Sequence, residues 1–271
     1  MTLKQDDAVA TQQASALLVH LVESHLAGEV QTSVANTKLK MSRLLAGNPA
    51  CTFGLNDWQT ATEADVADAI MLTSGASLNV DDETRGYIDP IITLVGIDRY
   101  AGLLSPYLRT GGANVLIATG HPTGLLEHYI DLGRALQVAG NRLLSAHDDG
   151  PTITAPTDSE SARTVRFVGS VGCVYDGLSL VHSHLADYME VMLNELEQDG
   201  ERIDLVIADH GMAGAAIARG IPTLSIADVN DPALPLAYAR GSHDGVFVID
   251  DNLAPALFRP VTRYILQRAT E

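Results

Sequence analysis

The chain has 271 residues, with 17 Lys and Arg against 34 Asp and Glu, and a formal net charge of −17. Apolar residues make up 46% and aromatic residues only 5%, the aliphatic-rich composition of an α/β interior. Nucleic acid is excluded as a general partner, because phosphate backbones are gripped by clustered Lys and Arg. No apolar run approaches the roughly 18 residues a membrane span needs, and no apolar leader accompanies Asp6 and Asp7 near Met1; both readings place the chain in the cytoplasm.

The first hundred residues read as helical. Apolar positions recur with helical spacing over 14–26, and Gly28 stops that pattern. A second helix is expected over 32–45, ended by Gly47, Asn48 and Pro49. Thr62 and Asp65 form a capping-box pattern before 66–72. Asp89 followed by Pro90 starts a helix over 90–108, closed by Gly111 and Gly112.

From residue 113 the pattern changes. Segment 113–118 (ANVLIA) is apolar without alternation, as expected of a strand buried on both faces. A helix follows over 125–138 and a short strand over 142–146. Polar, Pro-containing 148–161 reads as a surface loop. Further strands are expected at 164–168, 172–175, 204–208, 223–227 and 245–249, with helices at 185–196, 213–218 and 254–269. Repeated strand–loop–helix units imply right-handed crossovers. The expected fold is therefore α/β: a mostly parallel sheet with helices on both faces, three-layered and Rossmann-like. One domain is expected over 1–271, with a helical N-terminal portion (1–110) and a strand–loop–helix core (111–271). The small residues of 213–218 permit close packing, including against another copy in a homo-oligomer. Cys51 and Cys173 match neither a disulfide framework nor a zinc-ligand spacing and read as small buried residues.

Ligands in such sheets bind beyond the carboxyl ends of the strands, and three segments place polar residues there. Thr119-Gly120-His121-Pro122-Thr123-Gly124 lets backbone approach an anion at a helix N-terminus. Thr119, Gly120, Thr123 and Gly124 are its phosphate-binding candidates and His121 its proton carrier. A tight turn with Thr123 as helix cap is the plainer reading. Asp209-His210-Gly211 ends an apolar strand. Its Asp and His can bind a metal or act as an acid–base pair, or Asp209 can simply cap the next helix. Asp228-Val229-Asn230-Asp231-Pro232 is a hard-oxygen cluster suited to Mg²⁺ or another divalent metal, or else an Asx turn. Asp209, Asp228 and Asp231 are the candidate metal ligands. Arg240 and Ser242 add a cation and a hydroxyl for phosphate, with a surface ion pair the equal alternative for Arg240, and His182 and His184 form a weaker metal pair. No Gly-x-Ser-x-Gly elbow or Cys-x5-Arg loop is present, so covalent catalysis is not expected.

Segments 117–129 (IATGHPTGLLEHY) and 206–235 (VIADHGMAGAAIARGIPTLSIADVNDPALP) resemble a family of actinobacterial proteins labelled phosphatases, and the likeness runs over most of the chain from about Cys51. The resemblance implies a phosphatase acting on a small phosphorylated molecule and assigns no catalytic residue. Two other functions fit the same segments. One is a sugar-phosphate isomerase or lyase using His121 and His210 as proton carriers. The other is a regulatory module that binds a phosphorylated ligand. For any of them, a metal or a helix N-terminus must locally reverse the acidic field.

Overall fold

The computed structural model of the chain describes residues 3–153 and 163–271. The N-terminal portion holds α1 (Leu3–Glu23), β1 (Gly28–Ser33), α2 (Val34–Leu45), α3 (Pro49–Thr52), α4 (Glu63–Ser74), β2 (Arg85–Ile88) and α5 (Pro90–Thr110). It is not wholly helical, as expected from the sequence, because β1 and β2 pair antiparallel. The helix expected from residue 32 starts at 34. Residues 28–31 alternate buried and exposed, the period of a strand, and Ser33 then caps α2 by accepting from the Asn36 N–H. The Thr62–Asp65 capping box forms, and Asp89 caps α5.

The rest comprises β3 (Asn114–Thr119), α6 (Pro122–Val138), β4 (Arg142–Leu144), β5 (Thr164–Val168), β6 (Val171–Tyr175), α7 (Asp187–Gln198), β7 (Leu205–Asp209), α8 (His210–Ala218), β8 (Thr223–Ala227), α9 (Ala233–Ala239), β9 (Val246–Val248) and α10 (Arg259–Thr270). Short α9 is not visible as a periodic pattern, since two of its seven residues are Pro235 and Tyr238 among small and aliphatic ones. Of the expected loop at 148–161, residues 154–161 lie outside the described residues. Before them, Asp148 and Ile153 bridge to Val165 and Arg163.

The large sheet has the order β5-β6-β3-β7-β8-β9, with β4 also pairing to β3. Strands β6, β3, β7, β8 and β9 run parallel, and β5 joins antiparallel to β6. The fold is α/β with a mostly parallel sheet; α1, α5, α6 and α10 pack together, α7 packs on α8, and α4 packs on α9. The chain places β4 and β6 on one side of β3 and then crosses to β7 on the other. That crossing is a topological switch point, where α/β sheets open a crevice at their carboxyl edge. Buried Val115, Leu116, Ile117, Val206, Ile207 and Ala208 hold β3 against β7. The small residues of α8 are buried within the chain, so they serve its own core. Both cysteines are free and buried, as expected. Among the described residues no helix is long and apolar enough to cross a membrane.

Candidate active site

Five adjacent parallel strands deliver polar residues to one edge. Strand β3 leads into Gly120 and His121, and β7 ends at Asp209 and leads into His210. Strand β8 leads to Asp228 and Asp231, and β9 to Asp250 and Asp251. The loop after β6 brings His182 and His184, pinned where the Ser183 N–H donates to the Gly120 carbonyl (2.9 Å). A Cβ on Gly120 would stand 2.2 Å from the Ser183 oxygen, and one on Gly124 would stand 2.3 Å from the Asp251 oxygen. The glycines of the first segment therefore let neighbouring loops close in.

Asp209 is fully buried and organises the centre. Thr119 Oγ1 donates to its Oδ2 (2.6 Å), and the Gly120 N–H donates to its Oδ1 (2.8 Å). His210 Nδ1 lies 2.7 Å from the same Oδ1. A carboxylate only accepts, so Nδ1 carries the proton and Nε2 points onward. There Nε2 meets Asp231 Oδ2 at 3.3 Å and Asp251 Oδ2 at 3.5 Å. His210 begins α8 at φ 46°, a left-handed conformation that a side chain adopts at a cost of about 1 kcal/mol or more. Strain of this kind is retained where a side chain must be aimed.

The other imidazoles surround His210. His121 stacks on His182 with ring centroids 4.3 Å apart, and His184 lies 4.5 Å from His210. His121 Nδ1 approaches Asp251 Oδ1 at 3.3 Å. Burial opposes charge on His210, yet Asp231, the Asp209 bond and Asp251 outweigh it and push the pKa up to about 10. His121 is likewise raised by Asp251 against its burial. Burial and the charge on His210 lower His184 to about 4. Asp228 is raised far above the carboxylate range by burial and by Asp251, Asp231 and Asp250. Among the described residues no Lys or Arg pairs with these five carboxylates.

The N-terminal portion closes over this edge. Thr32 Oγ1 donates to Asp228 Oδ2 (2.9 Å), and the Gln31 N–H to Asp250 Oδ2 (3.4 Å). His184 Nδ1 lies 3.1 Å from the Ala50 carbonyl, and the Phe53 ring sets its edge against both His184 and His210.

Among the described residues, ligand-forming atoms lie within 4.8 Å of one another in two groups, His121 with His182 and His210, and His184 with His210 and Asp231. Both use His210, and with Nδ1 committed to Asp209 only Nε2 is left. The expected trio of Asp209, Asp228 and Asp231 is thus brought to one edge but contributes only Asp231 to these groups. Asp209 is taken up by Thr119, Gly120 and His210. Both Asp228 oxygens accept hydrogen bonds, from Thr32 and from the Val229 N–H (2.6 Å). A divalent ion fits the donor set: His121 Nδ1 and Asp251 Oδ2 are buried without a hydrogen-bond partner, and the buried carboxylates repel one another.

A family described as Phosphatase matches residues 12–271. The chain belongs to that family. It is 33% identical over 264 residues to "Phosphatase SCO2771" of Streptomyces coelicolor, covering 96% of this chain and 97% of that protein. The family resemblance carried by 117–129 and 206–235 is borne out, and so is its actinobacterial relative. No solved structure matches the chain.

In this phosphatase-family chain, Arg240 and Ser242 stand away from the cluster. They follow α9, at the opposite end of the strands, where Arg240 bonds Thr60 and pairs with Asp65 and Ser242 donates to the Ala237 carbonyl. Thr123 is exposed on the first turn of α6, whose N-cap, His121, makes no side-chain capping bond. Sequence reasoning missed Asp250 and Asp251. They follow β9 after Ile249, at the end of the apolar segment expected over 245–249, so the rule that found Asp209 and Asp228 applies to them equally.

Proposed function

We propose that the chain is a metal-assisted phosphatase that hydrolyses a small phosphorylated metabolite at the histidine–carboxylate cluster. The observation that carries this reading is the placement of His210 Nε2 between Asp231 and Asp251. An imidazole nitrogen facing two buried carboxylates requires a positive charge beside it, either a proton or a metal ion. His184, His210 and Asp231 are the proposed holders of a divalent ion, with Asp251 facing them. A majority of imidazole ligands suits Mn²⁺, Fe²⁺, Co²⁺ or Zn²⁺ better than Mg²⁺. Such an ion supplies Lewis-acid neutralisation of phosphoryl oxygens, the local reversal of field that a chain of net charge −17 needs.

The protein's own groups supply the rest. Asp209 fixes the His210 tautomer and ring orientation, the usual task of a carboxylate behind a ligating histidine. His121, paired with Asp251, is the proton donor to the leaving oxygen. His121, His210 and the Asp side chains are buried, and the cluster reaches the surface at His182, which is exposed, and at half-buried His184.

The test is phosphate release from a panel of phosphorylated metabolites, first with excess EDTA and then with Mn²⁺, Zn²⁺ or Mg²⁺ restored. Release abolished by EDTA and restored by Mn²⁺ or Zn²⁺ is expected. No release under any condition would remove the phosphatase reading. Conversion without phosphate release, insensitive to EDTA, would instead match the acid–base chemistry of an isomerase or lyase.

A further inference from the structure

A cleft of about 400 Å³ opens beside the cluster, lined among others by Lys40, Arg43, Asn48, Arg163, His182 and His184. Among the described residues none that lines it is a carboxylate, although the chain carries twice as many acidic as basic side chains. Lys40 and Arg43 stand three apart on α2 and so share one face of the helix. Among the described residues neither forms an ion pair or a side-chain hydrogen bond, whereas Arg142, Arg219, Arg259 and Arg268 are each paired with Glu or Asp. Lys40 is half-buried and close enough for its charge to act on His184 and Cys51. Two uncommitted cations in a cleft whose wall is the exposed edge of the histidine cluster are placed for an incoming anion.

We infer that Lys40 and Arg43 bind a second anionic group on the substrate, so that the preferred substrates are phosphomonoesters whose leaving group carries its own phosphate or carboxylate. This rests on the phosphatase reading above for the position of the scissile phosphate. With that phosphate at His121, His210 and the proposed ion, its negative charge is already met. The cations of the cleft then face the remainder of the molecule. Arg forks and Lys ammonium groups both suit phosphate and carboxylate oxygens.

The experiment compares two probes, phenyl phosphate with a neutral leaving group and a sugar bisphosphate with a second phosphate. The wild-type protein should favour the bisphosphate in kcat/KM. Lys40→Met and Arg43→Met should each raise KM for the bisphosphate by about 10-fold, as loss of one charge-assisted bond predicts, and raise it for phenyl phosphate clearly less. Equal losses on both probes, or no preference in the wild-type protein, would overturn the inference. Calorimetric binding of the bisphosphate to EDTA-treated protein gives a readout without turnover. If neither ester is hydrolysed but the bisphosphate binds and both variants weaken it, the cleft stands and the phosphatase reading falls. If the esters are hydrolysed and the variants leave bisphosphate binding intact, the cleft falls alone.

Discussion

His210 and Asp209 are neighbours in sequence, yet a positive φ at His210 turns its ring back so that Nδ1 meets Asp209 Oδ1 at 2.7 Å. The carboxylate of Asp209 is thereby shared between β3, through Thr119 and Gly120, and the first residue of α8. One buried anion holds two strand ends together and sets the tautomer of the central imidazole.

Asp209→Asn tests that role. An amide offers one acceptor where the carboxylate offers two, and its NH₂ can drive His210 into the opposite tautomer. Phosphate release should fall by about 100-fold, the range seen when a carboxylate behind a ligating histidine is lost. Circular dichroism melting confirms that the fold persists. Activity within a factor of about 3 of wild type would show that the orientation of His210 does not matter.

Metal binding should stabilise the protein. Asp228, Asp231, Asp250 and Asp251 are buried side by side, and a cation relieves their repulsion only in the folded state. At 100-fold excess over Kd, a ligand of the native state adds about 2.7 kcal/mol. Thermal denaturation of EDTA-treated protein should rise by several degrees with Mn²⁺ or Zn²⁺, and less with Mg²⁺. His184→Gln should weaken the shift, and an identical melt with every metal would count against the site.

In the metal-free protein, Asp228 supplies a pH effect of the unusual sign. Its folded pKa is raised by burial and by Asp251, Asp231 and Asp250. The folded state therefore binds a proton that the unfolded chain releases near 3.8, and stability declines as pH rises above that value. Asp228→Asn should flatten this decline and raise the neutral-pH melting temperature of chelated protein. Urea midpoints at pH 5 and pH 7.5, compared between the two proteins, measure it.

On the acid side, His128 and His243 act in the opposite sense. Burial holds His128 at about 3, and burial with the nearby Arg99 charge holds His243 at about 4. The unfolded chain takes up protons near pH 6.5 while these two rings refuse them. Their contribution is complete above pH 6.5 and is lost as pH falls, by up to about 1.4 kcal/mol per pH unit for each. His128→Asn should reduce the slope between pH 6.5 and pH 5, whatever it does to stability at neutral pH. An unchanged slope would mean that His128 is protonated in the fold.

Gly214→Ala pits propensity against packing. Within a helix, Ala gains about 1 kcal/mol over Gly. Here the added Cβ would stand 1.9 Å from the Phe53 carbonyl oxygen, and backbone cannot yield as a flexible side chain does. Overpacking of this kind costs about 1–3 kcal/mol, so destabilisation should win. Because Phe53 sets its ring against His210 and His184, activity should fall with it. A higher melting temperature would refute the close approach.

What the residues determined by themselves was the repeated unit and the edge where chemistry collects. Unbroken apolar runs as short as 115–118 and 205–208 fit strands buried on both faces, and glycines and caps punctuate them locally. The polar ends Gly120-His121, Asp209-His210 and Asp228 followed, because a polar residue directly after such a strand must emerge at the carboxyl edge. Tertiary structure alone decided which of these residues share a site. Strand order placed β7 beside β3, so Asp209 reached Thr119 across 90 positions of sequence. Pairing of β1 with β2 placed Thr32, and packing of α3 on α8 placed Ala50 and Phe53, over the cluster. Arg240 and Ser242 fell at the far end of the sheet because α9 reverses the chain after Asp231. Contacts of that range depend on how separate elements pack, and hydrophobic period, caps and turn residues report only each element's own conformation.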